Sequence, residues 1–405
     1  MSPFLEALFL GAGYNAALVA IGAALLGFSA GASGTFLFLR KRALVSDAVA
    51  HATLPGVGLA FMAMVWAGGD GRNLVGLLAG SALSAWLGLL VVEWMVRRTR
   101  LSEDTAIGAV LSVFFGVGVV LLTIIQTMST GRQAGLEDFL LGATAGMLFQ
   151  DAVVIAVGGA LAVCATFILR RPMTLVAFDP EFAAANGYDV RRIDLAMMAL
   201  VLAVTVIGLK LVGLVLIVAM LIIPPVTARF WTEESDKVVW YAGVLGGVAG
   251  YVGAAISASA PALPTGPIIV LVSATLFGLS LFFAPARGVA AALIRHRRFQ
   301  RRVHRRQGLL ALARGESILE PYTIRVLSAE GLVRPDGVAT DDGRAIAAKI
   351  ARDERRWDIV REVHQDAGLT GRYDGLTPIE EVFTADEIAE FDRLIGAPRP
   401  VGGSA

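Results

Sequence analysis

Nine apolar runs constrain this chain more than any other feature. They lie near residues 15–39, 44–68, 74–96, 106–128, 152–169, 195–209, 211–230, 238–257 and 267–285. Roughly 17 to 25 apolar residues in a helix cross about 30 Å of hydrocarbon. Two of the runs meet at Lys210, so the expectation is an all-α polytopic membrane protein with eight or nine transmembrane helices.

Composition agrees with that expectation. Apolar residues make up 56% of the 405, charged residues only 17%, and mean hydropathy is +0.68, too high for an ordinary soluble enzyme of this length. The one cysteine, Cys164, excludes a disulfide framework and any CxxC metal site. No Lys or Arg precedes Arg40, so the first run lacks the basic segment of a cleaved signal peptide and is expected to be a retained span.

Charge divides the chain. Residues 1–286 carry 15 basic and 16 acidic side chains, 287–306 carry eight basic and none acidic, and 307–405 carry 12 basic and 18 acidic. This pattern marks a transmembrane domain (1–286), a basic cytoplasmic joint (287–306), a cytoplasmic domain (307–396) and a flexible tail (397–405). With an external amino terminus, 12 of the 15 basic residues before 287 fall on the cytoplasmic side, and only Arg72, Arg132 and Lys210 fall outside. That split follows the positive-inside rule and places the C-terminal domain in the cytoplasm.

Small residues recur inside the spans, as in "GAALLGFSAGASG" and "YAGVLGGVAGYVGAA". Glycine and alanine let helix backbones approach closely where lipid offers no hydrophobic drive for association. The "RHRRFQRRVHRR" stretch from Arg295 to Arg306 reads as a stop-transfer signal and a contact for anionic lipid.

Within the second run, "SDAVAHATLPG" places Asp47 and His51 at i and i+4, on one face of a helix. His51 is the only histidine before residue 287. Ionisable groups inside a span are costly and face a partner or a path. A carboxylate with an imidazole and no thiolate suits Mn²⁺, Fe²⁺ or Zn²⁺. Two ligands make a weak site, as a transit station needs, and a symmetry-related pair from a partner would raise the number to four. Pro55 has no amide hydrogen to give the His51 carbonyl, which leaves that oxygen free for another contact. The alternative is structural: Asp47 caps a helix end and His51 bonds a neighbouring helix.

The polar stretch 170–196 contains its own short helix pattern. Asp179-Pro180 opens it, Glu181, Phe182, Ala183 and Asn186 lie within it, and Gly187 closes it ahead of Asp189. A short helix held between two spans is either a docking element or a plain connection. Pro224 and Pro225, near one end of another span, free backbone carbonyls that need other partners, through a kink or through termination. No GxxxxGK[ST] phosphate loop and no HExxH zinc motif occurs, so energy for any transport comes from another chain or from a gradient.

Together these segments resemble the permease subunits of the zinc/manganese/iron-type (ABC-3) importers, a type II ABC importer architecture. The likeness runs through "FLRKRALVSDAVAHATLPGVGLAF", "AFDPEFAAANGYDVRRID", "GLKLVGLVLIVAMLIIPPVTARF" and "LPTGPIIVLVSATLFGLSLFF" and covers residues 10–286. The resemblance implies that Asp47 and His51 coordinate a passing metal near a dimer axis, and that the stretch from Asp179 to Asp189 couples to a cytoplasmic ATPase. It also implies a second permease copy or paralogue, an extracytoplasmic metal-binding protein, ATP used by the partner subunit, no permanently bound cofactor, and a multi-pass place in the inner membrane.

Beyond residue 306, "PYTIRVLSAEGL" followed by "VRPDGVATDDGRAIAAKIA" reads as a recognition helix, a short β wing and another helix, a small α/β winged-helix-like domain. This tail is similar to iron- and manganese-dependent repressors, but it offers only His364 where those carry a histidine-rich site. Its excess of acidic residues opposes phosphate binding and argues against nucleic acid as a partner. The expected cargo is manganese before zinc or iron. A membrane-tethered DNA-binding regulator and a gradient-driven metal or chelate carrier stand as the alternatives.

Overall fold

The computed structural model describes residues 3–69, 71, 73–127, 147–260, 263–363 and 376–396. Arg72, Arg132, the side chain of Lys210, His364 and the tail 397–405 lie outside the described residues. The chain divides into two compact units, residues 1–291 and 292–405.

In the first unit, a short α1 (Pro3–Leu8) precedes α2 (Tyr14–Leu39), α3 (Leu44–Trp66), α4 (Leu74–Arg98) and α5 (Glu103–Thr127). Then come α6 (Phe149–Phe178), the six-residue α7 (Pro180–Ala185), α8 (Val190–Leu209), α9 (Val212–Arg229), α10 (Ser235–Ala258) and α11 (Thr265–Phe283). Nine of these helices, α2 to α6 and α8 to α11, are long and apolar enough to cross a membrane. The higher of the two expected span numbers therefore holds among the described residues.

Helices α8 and α9 form one hydrogen-bonded stretch broken at Gly213, whose φ of 75° and ψ of 171° lie outside the helical range. Only glycine enters that conformation at little cost. A straight helix would hold residues nine apart at a rise of about 13 Å. Instead the Ile217 side chain packs against Gly208. The chain bends sharply at Gly213, and hydropathy alone blurs the bend because the apolar character runs straight through it.

Helix α2 is the spine of the unit. Its small residues meet α10 at backbone distance: a Cβ on Gly27 would strike the Gly246 carbonyl, one on Gly31 the Ala242 carbonyl, and one on Gly250 the Ala23 carbonyl. Such approaches exchange bulky packing for many Cα–H···O and dispersion contacts. Gly34 repeats the pattern against the Leu221 carbonyl of α9. Residues Gly27 to Gly31 spell G-F-S-A-G, the lettering of a hydrolase nucleophile turn. They lie in mid-helix, where Ser29 Oγ donates to the Leu25 carbonyl at 2.8 Å, so the motif is packing.

The second unit takes in most of α12 (Val289–Ala313), then α13 (Pro321–Ala329), α14 (Asp341–Val363), a 3₁₀ turn (Ile379–Glu381) and α15 (Ala385–Gly396). Leu309, Ile318, Leu327, Leu332, Val333 and Ala347 form one small core, and Trp357, Val360, Ile379, Phe383 and Phe391 another. Asp392 is held below the usual carboxylate range by hydrogen bonds from the Arg356 guanidinium, which also reaches Asp353.

The α/β expectation for this unit needs correction. The wing is a single antiparallel bridge between Val333 and Ala339, and no strand occurs among the described residues. The physical reason is the tight turn at Asp336-Gly337: Gly337 donates to the Arg334 carbonyl, Arg334 to that of Val338, and α14 starts at Asp341 before a ladder can extend.

Replacing Gly31 by valine drives a side chain into the Ala242 carbonyl and should cost about 3 kcal/mol or more, the upper end of ordinary overpacking. Gly108→Ala, at an exposed helical position with open space around it, should leave stability unchanged or slightly raised. Thermal unfolding of the two detergent-purified variants checks the contrast, and equal midpoints would remove the seam from its central role.

Candidate metal pathway

Helix α3 starts after a tight turn in which Lys41 adopts a positive φ of 61°. Asp47 lies in its first turn and His51 one turn later. Asp47 Oδ1 and His51 Nε2 stand 3.4 Å apart, with their side chains 36% and 21% exposed in the single chain. On a first-row divalent ion with bonds of about 2.1 Å, neighbouring ligand atoms are separated by about 3.0 Å in an octahedron and 3.4 Å in a tetrahedron. The two atoms are therefore spaced to share one ion with little movement.

The other ring nitrogen, His51 Nδ1, is buried and has no hydrogen-bond partner. Phe115 of α5 meets the imidazole edge-on, with centroids 5.1 Å apart. This aromatic wall fixes the ring plane and offers no acceptor. The structural alternative, in which His51 bonds a neighbouring helix, finds no such bond here. No group of three or more His, Cys, Asp or Glu able to hold a metal exists among the described residues, so Asp47 and His51 stand as a pair.

Glycines grip the middle of α3 from both sides. Gly56 meets Gly80 of α4 so closely that a Cβ on either would strike the backbone of the other helix, and Gly118 of α5 lies against Leu54 at Pro55. Pro55 is buried within the helix, four residues after His51. Pro224 and Pro225 lie elsewhere. They are inside α9, which runs on to Arg229, so they do not terminate it. The Leu221 carbonyl that Pro225 leaves without its helical donor is the one facing Gly34 of α2.

The short α7 has an explicit local cause. Asp179 caps it by accepting from the Phe182 amide at 2.8 Å, Pro180 occupies its first turn, and the Asn186 side chain donates to the Phe182 carbonyl at 2.8 Å. Gly187, at φ 84°, ends it, and Asp189 caps α8 by accepting from the Arg192 amide at 3.2 Å. Ala183 is buried beneath it, Glu181 is exposed, and Phe178, Phe182 and Tyr188 present aromatic surface outward.

Sequence reading missed a charged cluster at the same end of the unit. Arg40 grips Asp194 through two nitrogens at 3.2 Å each and reaches the Val176 carbonyl at 3.1 Å. Arg42 pairs with Glu103 at 2.7 Å and Asp194 at 3.4 Å, while Glu93 takes Arg97 at 3.0 Å and Arg191 at 2.9 Å. The cluster ties the α2–α3 turn to α4, α5, α6 and α8 around a cavity of about 70 Å³. The only signal in the sequence was the Arg40-Lys41-Arg42 run, read for topology alone.

Residues 14–284 match the ABC 3 transport family. The chain belongs to that family. Among relatives of this ABC 3 family member, the manganese transport system membrane protein MntC of Bacillus subtilis is 42% identical over 298 residues, covering 74% of this chain and 67% of that protein. The zinc transport system membrane protein TroC of Treponema pallidum is 36% identical over 285 residues, covering 70% and 94%. Among solved structures, PsaBC from Streptococcus pneumoniae in complex with Fab superposes with a TM-score of 0.60 at 28% identity, covering 70% of this chain and 96% of that one. The family match ends at residue 284, so the unit from Ala292 onward lies outside it and its likeness to repressors gains no support.

Removing a helix cap costs about 1 kcal/mol, a fivefold change in local opening. Asp179→Ala should therefore raise amide exchange about fivefold across α7 while Asp179→Asn, which keeps an acceptor, leaves it near wild type. Hydrogen-exchange mass spectrometry on that peptide decides it, and equal protection in all three proteins would rule out the cap as the cause of α7.

Proposed function

We propose that this ABC 3 family member is the membrane permease subunit of an ATP-driven importer that carries divalent metal ions into the cytoplasm through Asp47 and His51. The observation that carries the proposal is the pair itself: two ligand atoms 3.4 Å apart, inside a span, and still partly open in the single chain. An ionisable pair in a bilayer needs a polar or protein partner to cover it. A second permease, whether a copy or a paralogue, bringing its own Asp–His pair across a shared axis supplies that cover and completes four ligands.

Each group has a stated task. Asp47, as a carboxylate, supplies charge and an oxygen donor; neutral His51 supplies its Nε2 lone pair; Phe115 keeps the ring in place. With only two ligands per chain the site binds weakly enough to release, which suits passage. An extracytoplasmic binding protein delivers the ion. A separate ATPase docks on the aromatic surface around Phe182 and hydrolyses ATP, so the permease is no enzyme. Two conformations of the bundle, biased by the nucleotide state of that ATPase, expose the pair to each side in turn. The distribution of Lys and Arg supports an external amino terminus and a cytoplasmic carboxyl terminus.

Asp and His ligands discriminate weakly among first-row ions. The MntC relative's name supports manganese as the leading cargo, with zinc or ferrous iron behind it. The test is uptake by elemental mass spectrometry, with Mn²⁺, Zn²⁺ and Fe²⁺ offered together to cells that lack their own importer and carry the whole system. His51→Ala and Asp47→Asn should each lower accumulation of one ion at least tenfold without loss of permease from the membrane. Undiminished uptake by properly assembled variants returns the pair to packing.

A further inference from the structure

Helix α12 carries charge that transport does not use. Eight consecutive residues, 292–299, are exposed, and they include Leu293, Ile294 and Phe299. Burial begins only near the end of the helix, where Gly308 and Leu309 enter the small core with Ile318 and Leu327. The preceding turns thus belong to no protein core.

Their side chains segregate in part. At 100° per residue, Leu293, Phe299 and Val303 fall on one side of α12, flanked by Arg297 and Arg306, and Arg298, Arg301, Arg302 and Arg305 centre on the opposite side, with Ile294 among them. The four arginines line a shallow groove of about 480 Å³ with Glu330. Glu330 accepts from Arg301 at 3.2 Å and from Arg305 at 2.6 Å, which holds two guanidiniums in place. Arg298 and Arg302 have no acidic partner among the described residues. Guanidinium forks match phosphate oxygens two at a time, so the groove is shaped for phosphate esters.

We infer that α12 lies along the bilayer surface and binds anionic phospholipid headgroups in its arginine groove, with Leu293 and Phe299 entering the acyl boundary. Charge complementarity argues for this occupant, because residues 287–306 hold eight basic side chains and no acidic one. Chain connectivity argues for it too. Only five residues separate Phe283, the end of α11, from Val289, and Arg287 is fastened to the end of α9 through the Phe230 carbonyl at 3.2 Å and Glu233 at 3.0 Å. A basic face opposed by Phe and Leu is the pattern of an interfacial helix. Nucleic acid would use the arginines and leave the apolar face in water, and it would meet 18 acidic against 12 basic residues beyond 306.

The experiment uses the full chain in nanodiscs, with Cys164→Ala removing the exposed native thiol and Leu293→Cys carrying an environment-sensitive dye. Emission should shift to the blue in discs containing phosphatidylglycerol and stay unshifted in pure phosphatidylcholine, and high salt should reverse the shift. Each arginine near an anionic surface contributes about 1 kcal/mol, so Arg298→Gln with Arg302→Gln should weaken the association about 30-fold and abolish the shift. Arg298→Lys with Arg302→Lys keeps the charge and should retain most of it. The inference is overturned if both lipids give one spectrum, if the glutamine pair shifts like its parent, or if the unlabelled chain binds a short DNA duplex at physiological salt. None of these readouts depends on which ion the permease carries.

Discussion

Everything in the first unit depends on backbone-to-backbone contact between α2 and its neighbours. Lipid tails are as apolar as leucine, so burying leucine between two helices gains little that lipid does not already give. Packing has to come from surfaces that fit more closely than lipid can. Glycine provides that fit at Gly27, Gly31 and Gly34, where α10 and α9 carbonyls occupy the space a side chain would take. The same closeness satisfies an electrostatic need, because the Leu221 carbonyl without its helical donor is turned to the Gly34 backbone. With α2 fixed in this way, its C-terminal turn fixes where α3 begins, and α3 carries the pair.

What was legible in the sequence was what local chemistry determines. Spans follow from the length of apolar runs, and α7 from Asp179, Pro180 and Gly187, three residues whose capping and turn preferences do not depend on the rest of the fold. The Asp47–His51 spacing was legible for the same reason: an i, i+4 relation is internal to one helix. The Arg40–Asp194 and Arg42–Glu103 contacts were not, since they join residues 154 and 61 positions apart. Nor was the bend at Gly213, one glycine among the 45 in the chain. The wing fell between these cases: Asp336-Gly337 correctly marks a turn, but strand length depends on how soon the next helix starts.

The two polar features at this end of α3 differ in one respect. The charged cluster is complete within the chain: Arg40 and Asp194 are each less than a fifth exposed and bonded bidentately, and Arg42 joins both Glu103 and Asp194. Removing one partner from such a cluster leaves an uncompensated charge, so the first turns of α3 and α8 are held in a common frame. The α8 side of that frame starts immediately after α7. The Asp47–His51 pair, one to two turns into α3, is incomplete: Nδ1 of His51 is buried without a partner, and the carboxylate of Asp47 is a third exposed. The four charged groups Arg40, Arg42, Glu103 and Asp194 are thus satisfied within the chain, whereas Asp47 and His51 have each other and no third ligating side chain among the described residues.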